Sequence, residues 1–255
     1  MGATLELKHL RKAFGRKVVL DDVNLDVKPG QSLVIIGGSG TGKSVSLKCA
    51  IGLMTPTSGQ VLVDGTDLHA ADKETRDELQ SSFGMLFQGG ALFDSLRIWE
   101  NVGFRLIYAN NMKRKQAREA AIEALGRVGM GEDVADLYPN ELSGGMQKRV
   151  SLARAIVAKP KILFFDEPTT GLDPIMADVI DKLIVEQVKD LGAAAISITH
   201  DMVSARKIAD EVAMLYEGKI IWRGPVDKLD DPGNDYVDQF VHGKSEGPIK
   251  IAAKV

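Results

Sequence analysis

Residues 32–44, SLVIIGGSGTGKS, contain an apolar run that is followed directly by a glycine-rich loop. The run from Ser32 to Ile36 has the length of a buried strand, and the residues from Lys43 to Leu53 are compatible with a helix. A strand, a loop and a helix in this order, with the spacing G-x-x-x-x-G-K-[ST], predict a site for the phosphates of a nucleotide. Backbone N–H groups of such a loop surround a phosphate, and the positive end of the helix faces the same anion.

Two side chains of this loop have expected chemical roles. Lys43 is expected to reach the β- and γ-phosphates, and Ser44 to offer its hydroxyl to Mg²⁺, the counter-ion of a nucleoside triphosphate. The alternative is a tight turn of an α/β protein that binds no ligand. The predicted nucleotide-binding residues of the loop are Gly37, Gly38, Ser39, Gly40, Thr41, Gly42, Lys43 and Ser44.

A second apolar run ends in two adjacent carboxylates. The residues from Ile162 to Phe165 precede Asp166 and Glu167, and Pro168 ends the strand abruptly. Two acids at the carboxyl end of a buried strand are costly to desolvate unless they meet cations, so this pair predicts a metal site. We expect Asp166 to hold Mg²⁺, directly or through water, and Glu167 to polarise an attacking water.

With these motifs the chain resembles the ATP-binding cassette (ABC) ATPases from about Leu5 to Leu229. The motifs that carry the resemblance follow the family's order: Gly37 to Ser44, Gln88, Leu142 to Met146 (LSGGM), Ile162 to Glu167, Gly171 to Asp173, and His200. The resemblance implies an α/β P-loop NTPase fold with a RecA-like core, an antiparallel β-subdomain and a helical subdomain. It divides the chain into a cassette, residues 1–230 with the helical subdomain at about 91–158, and a C-terminal extension, residues 231–255.

The resemblance also assigns roles to single residues. Gln88 would sense the metal and the attacking water, and His200 would contact the γ-phosphate, so that Gln88, Glu167 and His200 form the catalytic set. The metal would be held by Ser44, Gln88 and Asp166. A strand of small and β-branched residues also leads to His200 and predicts its place at the ligand-binding edge of a sheet.

A second group of residues is implied to act on the nucleotide of another copy. These residues are Ser143, Gly144, Gly145 and Asp173, and a chain that carries both groups would sandwich ATP between two copies. Phe14 lies where the family places an aromatic residue that stacks on adenine, although a core phenylalanine at a strand end fits the sequence nearly as well.

Two positions depart from the family pattern. Met146 stands where glutamine is commoner, and its effect is expected to be tolerated because the phosphate contacts come from Ser143 and the backbone amides. Val45 stands where serine or threonine is usual, so one contact to the α-phosphate is missing and a modestly lower affinity for ATP is expected.

Composition limits the remaining possibilities. The chain has 255 residues, 44% of them hydrophobic, with no apolar run approaching 18 residues and no N-terminal secretory signal, which predicts a soluble protein of the cytoplasm. A net charge of −3 argues against nucleic acid as the main partner. The single cysteine, Cys49, excludes an internal disulfide and is expected to be buried.

The architecture favours a transport engine, because soluble ABC machines usually carry long coiled-coil insertions or two cassettes, and this chain has neither. In transporters, the region from Ala91 to Val102 receives the coupling helix of the permease. Its apolar residues Leu92, Phe93 and Trp99 are equally compatible with a core position.

Three further segments narrow the resemblance to the ATPases of Mla-type phospholipid transport systems: MLFQGGALF at 85–93, FDEP at 165–168 with GLDPI at 171–175, and QFV at 239–241 with GPI at 247–249. That family implies a second copy of the chain, an integral permease, a periplasmic MCE-domain protein and a small STAS-domain subunit, at the cytoplasmic face of a Gram-negative inner membrane. The alternatives are the ATPase of an amino-acid importer and a non-transport ABC regulator.

The C-terminal extension, residues 231–255, begins with a turn signal and contains a short amphipathic stretch. The apolar side chains Phe240 and Val241 need a surface to pack on, and the family resemblance implies that the tail crosses to the neighbouring ATPase. The extension is therefore a candidate clasp that holds two cassettes together. The alternative is a frayed terminus.

Overall fold

A computed structural model describes residues 2–250. Its first sheet has four strands in the order β2-β1-β4-β5, and every neighbouring pair is antiparallel. The strands are β1 (Leu5–Phe14), β2 (Lys17–Val27), β4 (Ser58–Val63) and β5 (Thr66–Asp67). The expected antiparallel subdomain is therefore present.

The second sheet has six strands in the order β10-β9-β3-β8-β7-β6, and only β10 runs antiparallel to its neighbour. The strands are β3 (Ser32–Ile36), β6 (Phe83–Leu86), β7 (Ile162–Asp166), β8 (Ala194–Ile198), β9 (Glu211–Tyr216) and β10 (Lys219–Pro225). Both β3 and β8 are buried along their whole length, as expected for central parallel strands that are covered on both faces. Because the parallel strands share one carboxyl edge, the residues that follow β3, β6, β7 and β8 meet there.

Eight α-helices complete the described residues. They are α1 (Lys43–Ala50), α2 (Lys73–Ser81), α3 (Ile98–Tyr108), α4 (Arg114–Arg127), α5 (Gly144–Ile156), α6 (Pro174–Leu191), α7 (Met202–Ile208) and α8 (Asp235–Val241). Helix α6 begins at Pro174 because the Asp173 side chain caps its first turn, and it ends at Leu191 because Gly192, at φ +58°, adopts the left-handed conformation. No helix within residues 2–250 is long and apolar enough to cross a bilayer.

Two hydrophobic clusters lie on opposite sides of the six-stranded sheet. Strand β3 contributes Val34 and Ile36 to one cluster and Leu33 and Ile35 to the other, as the period-two alternation of a strand requires. The first cluster includes buried residues of α3, α4 and α5, and the second joins the sheet to the antiparallel subdomain. Cys49 is buried in the second cluster, as expected. The boundaries proposed at residues 91, 158 and 230 stay a prediction.

The C-terminal extension packs on its own cassette over the residues that the structure describes. On α8, Val237 is fully buried and Val241 nearly so, and Phe240 packs on the first cluster. The Gln239 amide then bonds both main-chain groups of Ile249: Oε1 accepts from Ile249 N at 2.7 Å, and Nε2 donates to Ile249 O at 3.1 Å. Phe240 and Val241 therefore find on their own cassette the surface that they were expected to need. Residues 251–255, the end of the predicted clasp, lie outside the described residues.

Candidate functional site

The phosphate loop follows β3 at the carboxyl edge of the six-stranded sheet. Gly37 has φ +149°, and a Cβ there would lie 2.3 Å from the carbonyl oxygen of Leu215 on β9. Gly42, at φ +109°, precedes α1, and a Cβ there would lie 2.8 Å from the Leu20 side chain. Both positions need glycine for conformation and for space. The loop is thus in close contact with the parallel sheet at Gly37 and with the antiparallel subdomain at Gly42.

Lys43 closes the loop on itself. Its Nζ donates to Gly37 O at 2.7 Å and to Gly38 O at 2.9 Å, which holds the ammonium group inside the curve of the loop. Burial lowers the pKa of Lys43, while the nearby carboxylates of Glu167 and Asp166 oppose this shift. A cation in this position is suited to a polyanionic ligand, because phosphate oxygens can replace the two carbonyl oxygens.

The carboxylates that follow β7 lie close together with few counter-charges. Burial raises the pKa of Asp166, the neighbouring Glu167 raises it further, and Lys48, Lys148 and Lys43 partly offset both effects. A divalent cation would reverse this penalty. The oxygen donors of Asp166, the Ser44 hydroxyl and the Gln88 amide are of the type that Mg²⁺ prefers, so the residues present fit such an ion. The described residues contain no group of three or more His, Cys, Asp or Glu side chains at metal-binding distance, so an ion here would also rely on the nucleotide.

Glu167 has an unusual backbone conformation and several polar contacts. Its φ is +48°, in the left-handed region that non-glycine residues rarely adopt, and its N–H donates to Ile198 O at 2.9 Å. The carboxylate accepts from Thr170 Oγ1 at 3.1 Å and lies 2.9 Å from Nδ1 of His200. Backbone strain of this kind costs on the order of 1–3 kcal/mol and clusters at functional sites, which supports a functional role for Glu167.

One pocket of about 590 Å³ brings the predicted residues together. It is lined by Gly38, Ser39, Gly40, Lys43, Ser44, Gln88, Glu167, His200 and Phe240. Eight of these nine residues, all except Phe240, were predicted from the sequence. They come from segments up to 162 residues apart, which is the separation of Gly38 and His200 in the chain. Gly37, Thr41, Gly42 and Asp166 adjoin these residues in the chain without lining the pocket.

Phe14 lies apart from this pocket, at the end of β1 in the antiparallel sheet. It is 49% exposed, so the alternative of a core phenylalanine does not hold. The Lys12 ammonium sits 5.1 Å from the centre of the Phe14 ring. An exposed ring with a cation beside it can stack on a base, and this role remains a prediction.

The four residues predicted to act on another copy lie outside the pocket, and three of them are exposed. Ser143 caps α5 by accepting from Met146 N at 3.4 Å, and both Ser143 and Gly144 are exposed. Gly145 is buried against α6, where a Cβ would lie 2.6 Å from the Met176 side chain. Asp173, also exposed, caps α6. The first turn of α5 therefore has exposed residues and does not line the pocket that contains this chain's own phosphate loop.

The two departures from the family pattern fill apolar space. Met146 packs against the first hydrophobic cluster and Val45 against the second. Both side chains thus replace polar groups by partly buried apolar ones. Their effect on ATP affinity stays a prediction.

Sequence reasoning missed the way in which α5 holds the segment from Gln88 to Ala91. Lys148 Nζ donates to Gln88 O, and Ser151 Oγ donates to Gly90 O at 3.1 Å. The two guanidinium nitrogens Nη1 and Nη2 of Arg154 donate to Ala91 O and Gly90 O, both at 2.6 Å. The spacing i, i+3, i+6 was the available signal, because it places the three polar side chains on one face of a helix.

Phe240 also lines the pocket, although the sequence did not predict it as a site residue. Helix α8 reaches the pocket because Asn234 caps it and the Tyr236 ring stacks on Tyr216, at the end of β9, with ring centres 5.0 Å apart. Phe240 then contributes an apolar wall beside the phosphate loop and His200. The C-terminal extension is thus part of the candidate site within a single chain.

Comparison with known proteins agrees with this geometry. Residues 20–170 match the family model described as ABC transporter. The chain is 39% identical over 252 residues to the probable ribonucleotide transport ATP-binding protein mkl of Mycobacterium leprae, which covers 99% of this chain and 72% of the relative. It is 37% identical over 247 residues to the intermembrane phospholipid transport system ATP-binding protein MlaF of Haemophilus influenzae, which covers 97% of this chain and 93% of the relative.

A solved structure shares the fold. The dimeric structure of MJ0796, a bacterial ABC transporter cassette, superposes with a TM-score of 0.79 at 31% identity and covers 87% of this chain and 98% of its own. The chain therefore belongs to the ABC transporter family, as an ATP-binding cassette that hydrolyses ATP. Both the family resemblance and the fold predicted from the sequence are confirmed.

Proposed function

We propose that this chain is the ATP-hydrolysing subunit of a transporter that moves phospholipids between the inner and outer membranes of a Gram-negative bacterium. The observation that carries the enzymatic part is the single pocket that joins the phosphate loop to Gln88, Glu167 and His200. The cargo is supported by the relative from Haemophilus influenzae, which carries phospholipid transport in its name and matches over 93% of its length. Nothing in the described residues favours an amino-acid importer or a non-transport regulator.

In the proposed site the loop from Gly37 to Ser44 binds the phosphates through its amides, and Lys43 neutralises the β- and γ-phosphates. Ser44, Gln88 and Asp166 would hold Mg²⁺, which supplies neutralisation of the charge that develops on the phosphate oxygens. Phe14 stacks on the adenine ring. The residues other than Phe14 lie at or just beyond the carboxyl edge of the six-stranded sheet, whereas Phe14 lies in the antiparallel subdomain.

Hydrolysis requires a proton acceptor for the attacking water. Glu167 accepts that proton while the water oxygen bonds to the γ-phosphorus and the bond to the bridging oxygen breaks, which gives ADP and phosphate. His200 lies 2.9 Å from the Glu167 carboxylate and orients it, and it is free to contact the γ-phosphate because its ring is exposed. Gln88, which lines the same pocket, would contact the metal and the attacking water.

We further propose that two copies share each ATP. Ser143, Gly144, Gly145 and Asp173 would act on the nucleotide that the other copy holds, because the exposed turn at the start of α5 cannot serve the pocket of its own chain. The dimeric cassette with 31% identity supports a second copy as partner.

A row of aromatic side chains is the proposed contact with the integral permease. Phe93 and Phe104 have ring centres 4.7 Å apart, and Phe104 and Tyr108 have ring centres 4.6 Å apart. Phe93 and Tyr108 are exposed, whereas Trp99 is buried and Leu92 is half-buried, so the sequence region expected to meet the permease divides into a surface part and a core part. An exposed aromatic row beside Gln88 is suited to a protein partner.

The remaining partners follow from the proposed transport system. They are a periplasmic MCE-domain protein and a small STAS-domain subunit, with the chain at the cytoplasmic face of the inner membrane. Nucleic acid is not a proposed partner, since the net charge is −3.

The extension at residues 231–255 remains a proposed clasp between two cassettes, acting through its last residues. Deleting residues 243–255 should leave ATP binding intact, because Val237 and Val241 still pack, but should weaken self-association and lipid transport. A truncated chain that assembles and transports like the full chain would remove the clasp from the account.

The experiment that tests the proposed function is purification of the complete chain from bacterial membranes, with identification of the subunits and lipids that accompany it. A permease and phospholipids should copurify, and ATP-dependent lipid transfer should stop in a Glu167→Gln complex of unchanged composition. A complex that contains amino-acid transport subunits, or an absence of any membrane subunit, would contradict the proposal.

A further inference from the structure

A carboxylate outside the nucleotide pocket is almost completely buried. Asp181 lies on α6, faces α7, and is only 1% exposed. Its Oδ2 accepts from Ser204 Oγ at 3.0 Å, whereas its Oδ1 has no hydrogen-bond partner among residues 2–250. A buried carboxylate with one neutral donor is destabilising, so its presence calls for a functional reason.

Ser204 connects this carboxylate to two other groups. Its Oγ lies 2.9 Å from Thr169 Oγ1 and 3.3 Å from Asp201 Oδ2. A serine hydroxyl has one proton to donate, so Asp181 and Asp201 compete for it, and Thr169 can donate to Ser204 in turn. The protonation state of Asp181 therefore decides which way the Ser204 hydroxyl points.

The three elements joined at Ser204 all lead to the site of hydrolysis. Thr169 stands two residues after Glu167, α7 begins two residues after His200, and α6 begins directly after Asp173. We infer that Asp181 is a positioning residue for ATP hydrolysis, which acts through Ser204 on the placement of His200 relative to Glu167. Asp181 does not line the nucleotide pocket, so its effect falls on the rate of the chemical step.

The charged groups that face Asp181 are Asp178 and Lys182 on α6 and Asp201 and Lys207 on α7. Lys182 and Lys207 both pair with Asp178, each at 2.7 Å, which leaves Asp181 without an ion pair. Burial therefore raises the pKa of Asp181 to about 6, against the lowering effects of Ser204 and Lys207. The value of about 6 includes the smaller raising effects of Asp201 and Asp178.

Above that pKa the ionised Asp181 accepts a hydrogen bond from the Ser204 hydroxyl, and this bond links α6 to α7. Below it the neutral carboxyl group donates its own proton to Ser204 Oγ, and the Ser204 hydroxyl turns to Asp201, the cap of α7. An asparagine at this position resembles the neutral acid at every pH, because it is uncharged and carries a donor.

The test compares kcat for ATP hydrolysis of the complete chain with that of Asp181→Asn between about pH 5.5 and pH 8. At pH 8 the wild type should be faster by about threefold to tenfold, with KM for ATP equal within about twofold. At pH 5.5 the two rates should converge, because the wild type then carries the neutral acid. The ratio of the two rates removes the titration of His200 and other shared groups.

Asp190→Asn is the matched control, since it removes an exposed carboxylate nine residues further along the same helix, where it pairs with Arg127. Its rate ratio to wild type should stay constant over this range. Ser204→Ala tests the relay with a smaller change and also serves if Asp181→Asn does not fold. It should lower kcat at pH 8 by a similar factor, and the double variant should lose no more than the larger single loss.

A rate ratio for Asp181→Asn that is flat across pH, or wild-type kcat at pH 8 in both variants, would overturn the inference. Because the inference rests on the proposed role of Glu167, Glu167→Gln is measured beside it. Activity retained in Glu167→Gln would contradict the proposed site itself, whereas an inactive Glu167→Gln with a flat ratio would contradict only the role of Asp181.

Discussion

The Arg154→Met variant tests whether α5 holds the segment that contains Gln88. Arg154 donates two hydrogen bonds of 2.6 Å, to Gly90 O and Ala91 O. Hydrogen bonds to charged groups contribute about 1.5–3 kcal/mol each. The loss should lie toward the lower end, because Ala91 is exposed and water can reach its carbonyl, and because Gly90 O keeps its bond from Ser151. Methionine retains the aliphatic volume, so we expect a decrease in the free energy of unfolding of about 2–3 kcal/mol.

The assay is urea unfolding followed by tryptophan fluorescence, since Trp99 reports on α3 in the same hydrophobic cluster as α5. Arg149→Met is the matched control. Arg149 lies on the same helix and makes a single contact of 3.4 Å to Gly129 O, so its replacement should cost less than about 1 kcal/mol. Arg154→Met should also lower kcat for ATP hydrolysis, because Gln88 is less firmly held. Equal losses of stability in the two variants, or wild-type kcat in Arg154→Met, would refute this reasoning.

Three further predictions concern single side chains. Glu167→Gln should bind ATP and accumulate a closed dimer while its turnover falls by about 10²- to 10⁴-fold, since the amide cannot accept a proton; near-normal ATPase activity would exclude Glu167 as the base. Lys43→Ala should weaken ATP binding by about tenfold or more in equilibrium titrations, because two charge-assisted contacts are lost, and unchanged affinity would contradict its role. Asp181→Asn should gain stability relative to wild type by about 2 kcal/mol as pH rises from 4 to 7, because a folded pKa of about 6 against 3.8 means that ionisation disfavours the folded state. Unfolding curves at several pH values measure this difference, and a constant difference would contradict it.

The parts of the site that the sequence predicted are those in which chemistry and local structure share a short segment. The strand before Gly37, the helix from Lys43 and the acids after β7 each form one continuous motif, and parallel strands bring such motifs to one edge. The fold class followed from the same motifs through the family resemblance.

The parts that the sequence did not predict depend on contacts between distant segments. The bonds from Lys148, Ser151 and Arg154 span 60 or more residues, and no local pattern of α5 states which carbonyl groups they meet. Asp181 lies at a position that local pattern leaves ambiguous, and only its burial against α7 reveals its role.

The surface on which α8 packs could not be read from the sequence, because amphipathicity shows that a helix needs a partner and does not show which one.

A mixed dimer of two variants tests whether each ATP is held between two copies of the chain. Neither a Lys43→Ala chain nor a Ser143→Arg chain should form a closed, ATP-bound dimer with itself, since every site of such a dimer contains one defect. In the mixture, one site collects both defects and the other pairs an intact phosphate loop with an intact Ser143. The account predicts that the mixture recovers ATP binding in a closed dimer at one site per dimer. A mixture in which ATP binding stays at the level of the separate variants would contradict the shared site.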